Sequence, residues 1–265
     1  MLGAIIGDIV GSRFEWHNIK TKEFEFLTSD CEPTDDSIMT LALAQAILVS
    51  EADFSDLSEK AVQCMQSVGR HYPGCGYGGR FQSWMFSDDP QPYMSFGNGS
   101  AMRVSPAGFA AENLEQAKIL SHKITAVTHN HPEGIKGAEA TTVALYMART
   151  GSTKEEIREV IDQQYYPMNF TLDEIRPTYR FNEICQDTVP QALMSFFESD
   201  SFEDAIRNAI SIGGDSDTLA AICGGVAEAY YGIPDDLRSR AVQYLDDRLM
   251  TILEMFERKY PPVRK

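Results

Sequence analysis

The chain has 265 residues, 43% of them hydrophobic and 10% aromatic, enough to bury a large core, so disorder is excluded except at the ends. Its formal net charge of −16 repels nucleic-acid backbones and anionic lipid, and neither is expected as a bulk partner. Five scattered cysteines, Cys31, Cys64, Cys75, Cys185 and Cys223, form no C-x-x-C pair, which argues against a disulfide framework or zinc ribbon and for a reducing cytoplasm.

Helical periodicity dominates, and no alternating strand pattern stands out. The opening MLGAIIGDIVG lacks a basic leader and carries Asp8, so residues 1–15 read as an apolar helix and not as a signal peptide. Residues 36–50 read as a second apolar helix, and 55–71 and Leu114–Thr128 as amphipathic ones. His131–Arg149 follows, with Pro132 suited to a first turn. Ser152-x-x-Glu155 has the pattern of a capping box opening a helix to about Gln164. Later helices are expected at 186–199, 202–212, 216–231 and 235–258, the last lined by Leu237, Val242, Leu245, Leu249, Leu253 and Phe256. Stretches 16–34, 72–100 and 165–182 read as irregular, the middle one rich in glycine and aromatics, and loops that long usually serve a function. No apolar run approaches the roughly 20 residues that span a bilayer. The expectation is one all-α domain over residues 1–265, a multi-helix bundle, monomeric.

Two acidic motifs precede helices: Thr34-Asp35-Asp36-Ser37, and Gly213-Gly214-Asp215-Ser216-Asp217-Thr218. Helix capping accounts for either alone, since threonine, aspartate and serine favour N-caps and an acidic first turn suits the helix dipole. A cap needs one side chain, whereas a hard divalent cation wants several oxygen ligands. Were Glu15, Asp35, Asp36, Asp215 and Asp217 to converge, two divalent cations would nearly neutralise them. Spacing alone leaves both readings open. Gly3, Gly7 and Gly11 lie on one helix face and predict close approach of another helix, and Gly224 and Gly225 read the same way.

Gly97-Asn98-Gly99-Ser100-Ala101-Met102-Arg103 is either an ordinary turn or an anion cradle of exposed N–H groups. GCGYGG at 74–79 lacks the Gly-Lys-Ser/Thr of a nucleotide-binding P-loop, and no G-x-S-x-G elbow is present. His129 and His131 alternate without a third nitrogen or sulfur ligand nearby, so capping or a substrate hydrogen bond is favoured over zinc.

Taken in order, Gly7-Asp8-x-x-Gly11 with Glu15, Thr34-Asp35-Asp36, Gly97-Asn98-Gly99-x-x-Met102-Arg103, Thr128-His129 and Gly214-Asp215-x-Asp217-Thr218 resemble the ADP-ribosylglycohydrolase family, over residues 3 to about 232. The resemblance implies an all-α fold around a central cleft with two Mg²⁺ ions, Mn²⁺ being possible. Thr34, Asp35, Asp36, Asp215, Asp217 and Thr218 match the metal ligands, and Glu15, Asp35 and Asp36 are the carboxylates matched to catalysis. Gly97, Asn98, Gly99, Ser100, Ala101 and His129 would meet the diphosphate and ribose. Tyr77, Phe81 and Phe96 are candidates for adenine or ribose packing, with core packing the alternative. The implied reaction is hydrolysis of the N- or O-glycosidic bond between ADP-ribose and a protein or small-molecule acceptor. The rival is a relative on the same scaffold that binds ADP-ribose without chemistry.

Overall fold

The computed structural model describes residues 1–262. Its helices are α1 (Leu2–Ser12), α2 (Asp35–Val49), α3 (Leu57–Gly69), α4 (Gly79–Met85), α5 (Gly99–Met102), α6 (Ser105–Ala110), α7 (Leu114–Thr125) and α8 (Pro132–Arg149). They continue with α9 (Lys154–Gln164), α10 (Leu172–Ile175), α11 (Cys185–Phe197), α12 (Phe202–Ser211), α13 (Ser216–Tyr231), α14 (Asp235–Ala241) and α15 (Asp247–Lys259). Among the described residues no strand forms, and the one isolated bridge joins Gly97 to Ile184. No helix is long and apolar enough to cross a membrane.

The fold is organised around α1 and α13, both apolar on nearly every side and buried almost throughout. Their contact is backbone on backbone. A Cβ on Gly3 would fall 2.3 Å from Gly224 O, one on Gly7 2.0 Å from Ala220 O, and one on Gly11 2.5 Å from Asp217 Cα. Real Cβ atoms do not come so close, so the four-residue glycine spacing is what permits the approach. This seam sets Asp8 of α1 beside the first turn of α13. Around the pair pack α2, α8, α11 and α12, and buried residues from Met1 to Phe256 form one contiguous core.

Several boundaries depart from the sequence reading, each for a local reason. The first helix stops at Ser12, short of residue 15. The capping box is Thr153–Glu156, one residue later than expected. Ser152 still belongs to the previous turn, since its N–H bonds Met147 O at 3.0 Å after Gly151 at φ +95°. The segment 235–258 is not one helix: α14 ends at Ala241, a 3-10 turn covers Val242–Tyr244, and Asp246 caps α15 by accepting from Leu249 N at 2.9 Å. Leu237, Leu245, Leu249, Leu253 and Phe256 are nonetheless buried, so the break keeps a common apolar face. Stretch 72–100 contains α4, which buries Phe81, Trp84 and Met85. Stretch 165–182 contains α10, opened by a second capping box, Thr171–Glu174.

Candidate active site

The acidic motifs meet where α1, α2 and α13 converge. Thr34 caps α2, its Oγ1 accepting from Asp36 N at 3.3 Å. The same hydroxyl donates to Asp8 Oδ1 at 2.6 Å, while Thr34 N and Ser37 N donate to Asp8 Oδ2 at 2.9 and 3.0 Å. Asp8 thus fastens the start of α2 to α1. On the other side, Gly213 (φ +68°) and Gly214 (φ +81°) turn the chain into α13 through the left-handed region. Asn18 clamps that turn reciprocally, accepting from Gly214 N at 2.7 Å and donating to Gly214 O at 2.8 Å. Asn98 Nδ2 then donates to Asp215 Oδ2 at 2.7 Å.

Two groups of three carboxylates result, Asp8–Asp36–Asp217 and Glu15–Asp215–Asp217, with Asp217 common to both. In each, one oxygen per residue lies within 4.8 Å of the others. Thr218 Oγ1 stands 3.4 Å from Asp36 Oδ2. Glu15 is partly exposed, whereas the four aspartates are buried. Among the described residues no ion pair includes any of them. Burial is the leading cause that raises their pKa values, and mutual repulsion adds for most: Asp8 is pushed up to about 6, Glu15 to about 7 and Asp35 to about 8. Asp36 and Asp217 are held well above the carboxylate range for the same reasons. Asp36 Oδ1 is moreover buried without a hydrogen-bond partner. Unpaired buried carboxylates with an orphaned oxygen form a donor set suited to hard divalent cations.

A cavity of about 310 Å³ opens beside these groups. Its lining includes Glu15, Asp35, Asp36, Asp215, Asp217 and Thr218 together with Gly97, Asn98, Gly99, Arg103 and His129. Of the expected metal ligands, Thr34 alone is outside the lining, its hydroxyl committed to Asp8. Asp35 lines the cavity opposite Gly76 but stands outside both carboxylate groups. Ser100 and Ala101 do not face the cavity; the Ser100 hydroxyl turns to Gly97 O and Gly134 O. His131 caps α8, accepting from Glu133 N at 3.1 Å. Phe81 lines the cavity, Tyr77 packs behind it, and the exposed Phe96 rests on His131.

The sequence reading missed Asp8 as a site residue, although an aspartate inside an apolar glycine-rich helix is itself a signal. It also missed Tyr93, Ser95 and Glu183, which line the cavity, and Asn18 behind it. Glu183 arrives through the Gly97–Ile184 bridge, its carbonyl accepting from Asn98 N at 2.8 Å. No local motif announces such a long-range placement.

The model of the family described as ADP-ribosylglycohydrolase matches residues 1–262. The chain is 27% identical over 261 residues to the ADP-ribosylarginine hydrolase Tri1 of Pseudomonas putida, covering 88% of this chain and 70% of that one. It is 24% identical to human ADP-ribosylhydrolase ARH3, covering 88% and 84%. To the ADP-ribosyl-[dinitrogen reductase] glycohydrolase of Rhodospirillum rubrum it is 26% identical, covering 92% and 88%. A solved structure described as an ADP-ribosylglycohydrolase-related protein complex superposes with a TM-score of 0.72 at 23% identity, over 98% of this chain and 95% of that one, and shares the fold. The all-α chain belongs to the ADP-ribosylglycohydrolase family and is a hydrolase of that class.

Proposed function

We propose that the cleft hydrolyses the N- or O-glycosidic bond linking ADP-ribose to a protein or small-molecule acceptor, reversing mono-ADP-ribosylation. The observation that carries this reading is the pair of three-carboxylate groups sharing Asp217, most of whose members line a cavity that also bears the Gly97–Gly99 turn and His129. Asp36, Asp215, Asp217 and Thr218 would hold the cations, with Asp8, Glu15 and Asp35 alongside; Thr34 would join through an oxygen lone pair while its proton stays directed at Asp8. The oxygen-only donor set suits Mg²⁺, with Mn²⁺ as a substitute. Such ions supply Lewis acidity and an acidified water when bound.

The chain's own groups do the rest. Glu15, partly exposed and lining the cavity, would take a proton from the attacking water. Asp35 and Asp36 are the alternative bases. Developing positive charge on the ribose ring is stabilised by the surrounding carboxylates, as in ordinary glycoside cleavage. In the same cavity, His129 and the Gly97–Gly99 turn would position diphosphate and ribose oxygens. The buried Arg103 and the nearby Arg80 offset the acidic surroundings for an anionic ligand.

Arginine- and serine-linked ADP-ribosyl peptides, incubated with and without Mg²⁺ and followed by mass spectrometry, test this reading. Release of ADP-ribose from either peptide is expected and names the acceptor. Absence of release from both, together with no measurable ADP-ribose binding, would refute it.

A further inference from the structure

Arg103 is buried, and among the described residues no carboxylate pairs with it directly. Its Nη2 lies 2.6 Å from Thr128 Oγ1 and 3.3 Å from His129 Nδ1. Thr128 Oγ1 is itself 2.7 Å from the same Nδ1. The Phe81 ring supports the guanidinium from below, its centroid 5.0 Å from Cζ. Tyr93 packs against the imidazole with ring centroids 6.0 Å apart.

A guanidinium only donates. With Nη2 donating to Thr128 Oγ1, the hydroxyl's own proton has two acceptors, Thr125 O at 3.4 Å and Nδ1 at 2.7 Å; the nearer Nδ1 is the better one, and with Nη2 also facing it this favours the ring proton on Nε2. That nitrogen faces the Gly97–Gly99 turn: a Cβ built on Gly99 would lie 3.4 Å from it, and one on Gly97 3.6 Å. The turn's own donors are largely engaged. Gly97 N–H goes to Ser95 Oγ, Asn98 N–H to Glu183 O, Ser100 N–H to Gly97 O and Ala101 N–H to Asn98 O. A ligand oxygen here would meet two remaining donors, Gly99 N–H at the start of α5 and the imidazole Nε2–H. Burial, together with the guanidiniums of Arg103 and Arg80, keeps the ring uncharged.

We propose that Arg103 is a positioning residue: through Thr128 and Nδ1 it fixes His129 as the Nε2–H tautomer and aims that donor across the Gly97–Gly99 turn at an oxygen of the bound ADP-ribose. The aim at ADP-ribose rests on the functional reading above; the tautomer does not. The arrangement links Arg103 and Thr128-His129, distant in sequence, in one hydrogen-bonded group.

The test uses ¹⁵N-labelled full-length protein, with His129 assigned by comparison with His129→Gln. Two-bond ¹H–¹⁵N spectra at neutral pH are expected to show a protonated Nε2 and a bare Nδ1. In Arg103→Met the His129 signals should move or split between tautomers, and KM for the ADP-ribosyl peptide should rise about tenfold or more, with kcat less affected. Arg103→Lys, which keeps one donor, should recover part of both. Should Arg103→Met fail to fold, Thr128→Val removes the bridging hydroxyl alone and should shift the same signals. A wild-type Nδ1–H tautomer, or unchanged His129 signals and KM in the folded variants, would overturn the proposal. An Nε2–H signal in a wild-type protein that neither binds nor cleaves ADP-ribose would uphold the positioning role and refute the hydrolase reading instead.

Discussion

Stripping divalent cations from the protein should make its stability fall as pH rises, and restoring them should cancel the fall. Unfolded carboxyls ionise near pH 4, whereas in the fold Asp8 keeps its proton to about 6 and Asp35 to about 8. Between those limits the folded state binds more protons than the unfolded one. The stabilisation is therefore complete below pH 4 and is lost as pH climbs through 6 to 8. Asp8, raised by about two units, contributes roughly 3 kcal/mol. For a chain of this size that corresponds to a drop of roughly 6–12 °C in Tm between pH 4 and pH 8. Added Mg²⁺ at a hundred times its Kd should return about 2.7 kcal/mol. The assay is thermal unfolding of EDTA-treated protein by circular dichroism at pH 5, 6, 7 and 8, with and without Mg²⁺. A metal-free Tm that is flat or rises with pH, together with no Mg²⁺ response at pH 8, would refute the reasoning.

Asp217→Asn removes the one carboxylate shared by both groups. Calorimetric titration should show Mg²⁺ affinity falling at least tenfold, while the metal-free Tm at pH 8 rises because the cost of burying an ionisable carboxyl there has gone. Gly7→Ala places a methyl 2.0 Å from the Ala220 carbonyl and forces α1 off α13; denaturant unfolding should register a loss on the order of 3 kcal/mol or more. Asn18→Ala frees the Gly213–Gly214 turn and also removes the side chain's bonds to Phe14 O and Glu15 O, costing about 1–3 kcal/mol or more, and Mg²⁺ affinity should weaken with the far-ultraviolet spectrum unchanged.

Much of the site was legible because its chemistry is written locally. Glycines at 3, 7 and 11 can serve one purpose on an apolar helix, and the seam with α13 is where they serve it. Adjacent aspartates behind Thr34 and alternate ones behind Gly214 stand out because a cap needs fewer oxygens than they offer. Asp8 escaped because its role is a set of donations from Thr34 and Ser37, which no spacing records. Asn18 and Glu183 escaped for the same reason, being brought in by turns and a bridge far along the chain. The spacing of Gly97–Arg103 gives no sign that the Ser100 hydroxyl is spent on Gly97 O and Gly134 O. The break near Val242 was hidden because the apolar positions continue in step across it, and only Asp246, a cap in mid-segment, marks the interruption. Ser152 and Thr153 both satisfy a capping-box pattern; the left-handed Gly151 just before them decides in favour of Thr153.

The most direct test of the account is release of free ADP-ribose from arginine- and serine-linked peptides by wild-type and Asp217→Ala protein, each with Mg²⁺ and with EDTA. The account predicts release by the wild type with Mg²⁺ alone, and none by the variant, which should remain folded. Equal release in EDTA, or by Asp217→Ala, would contradict it.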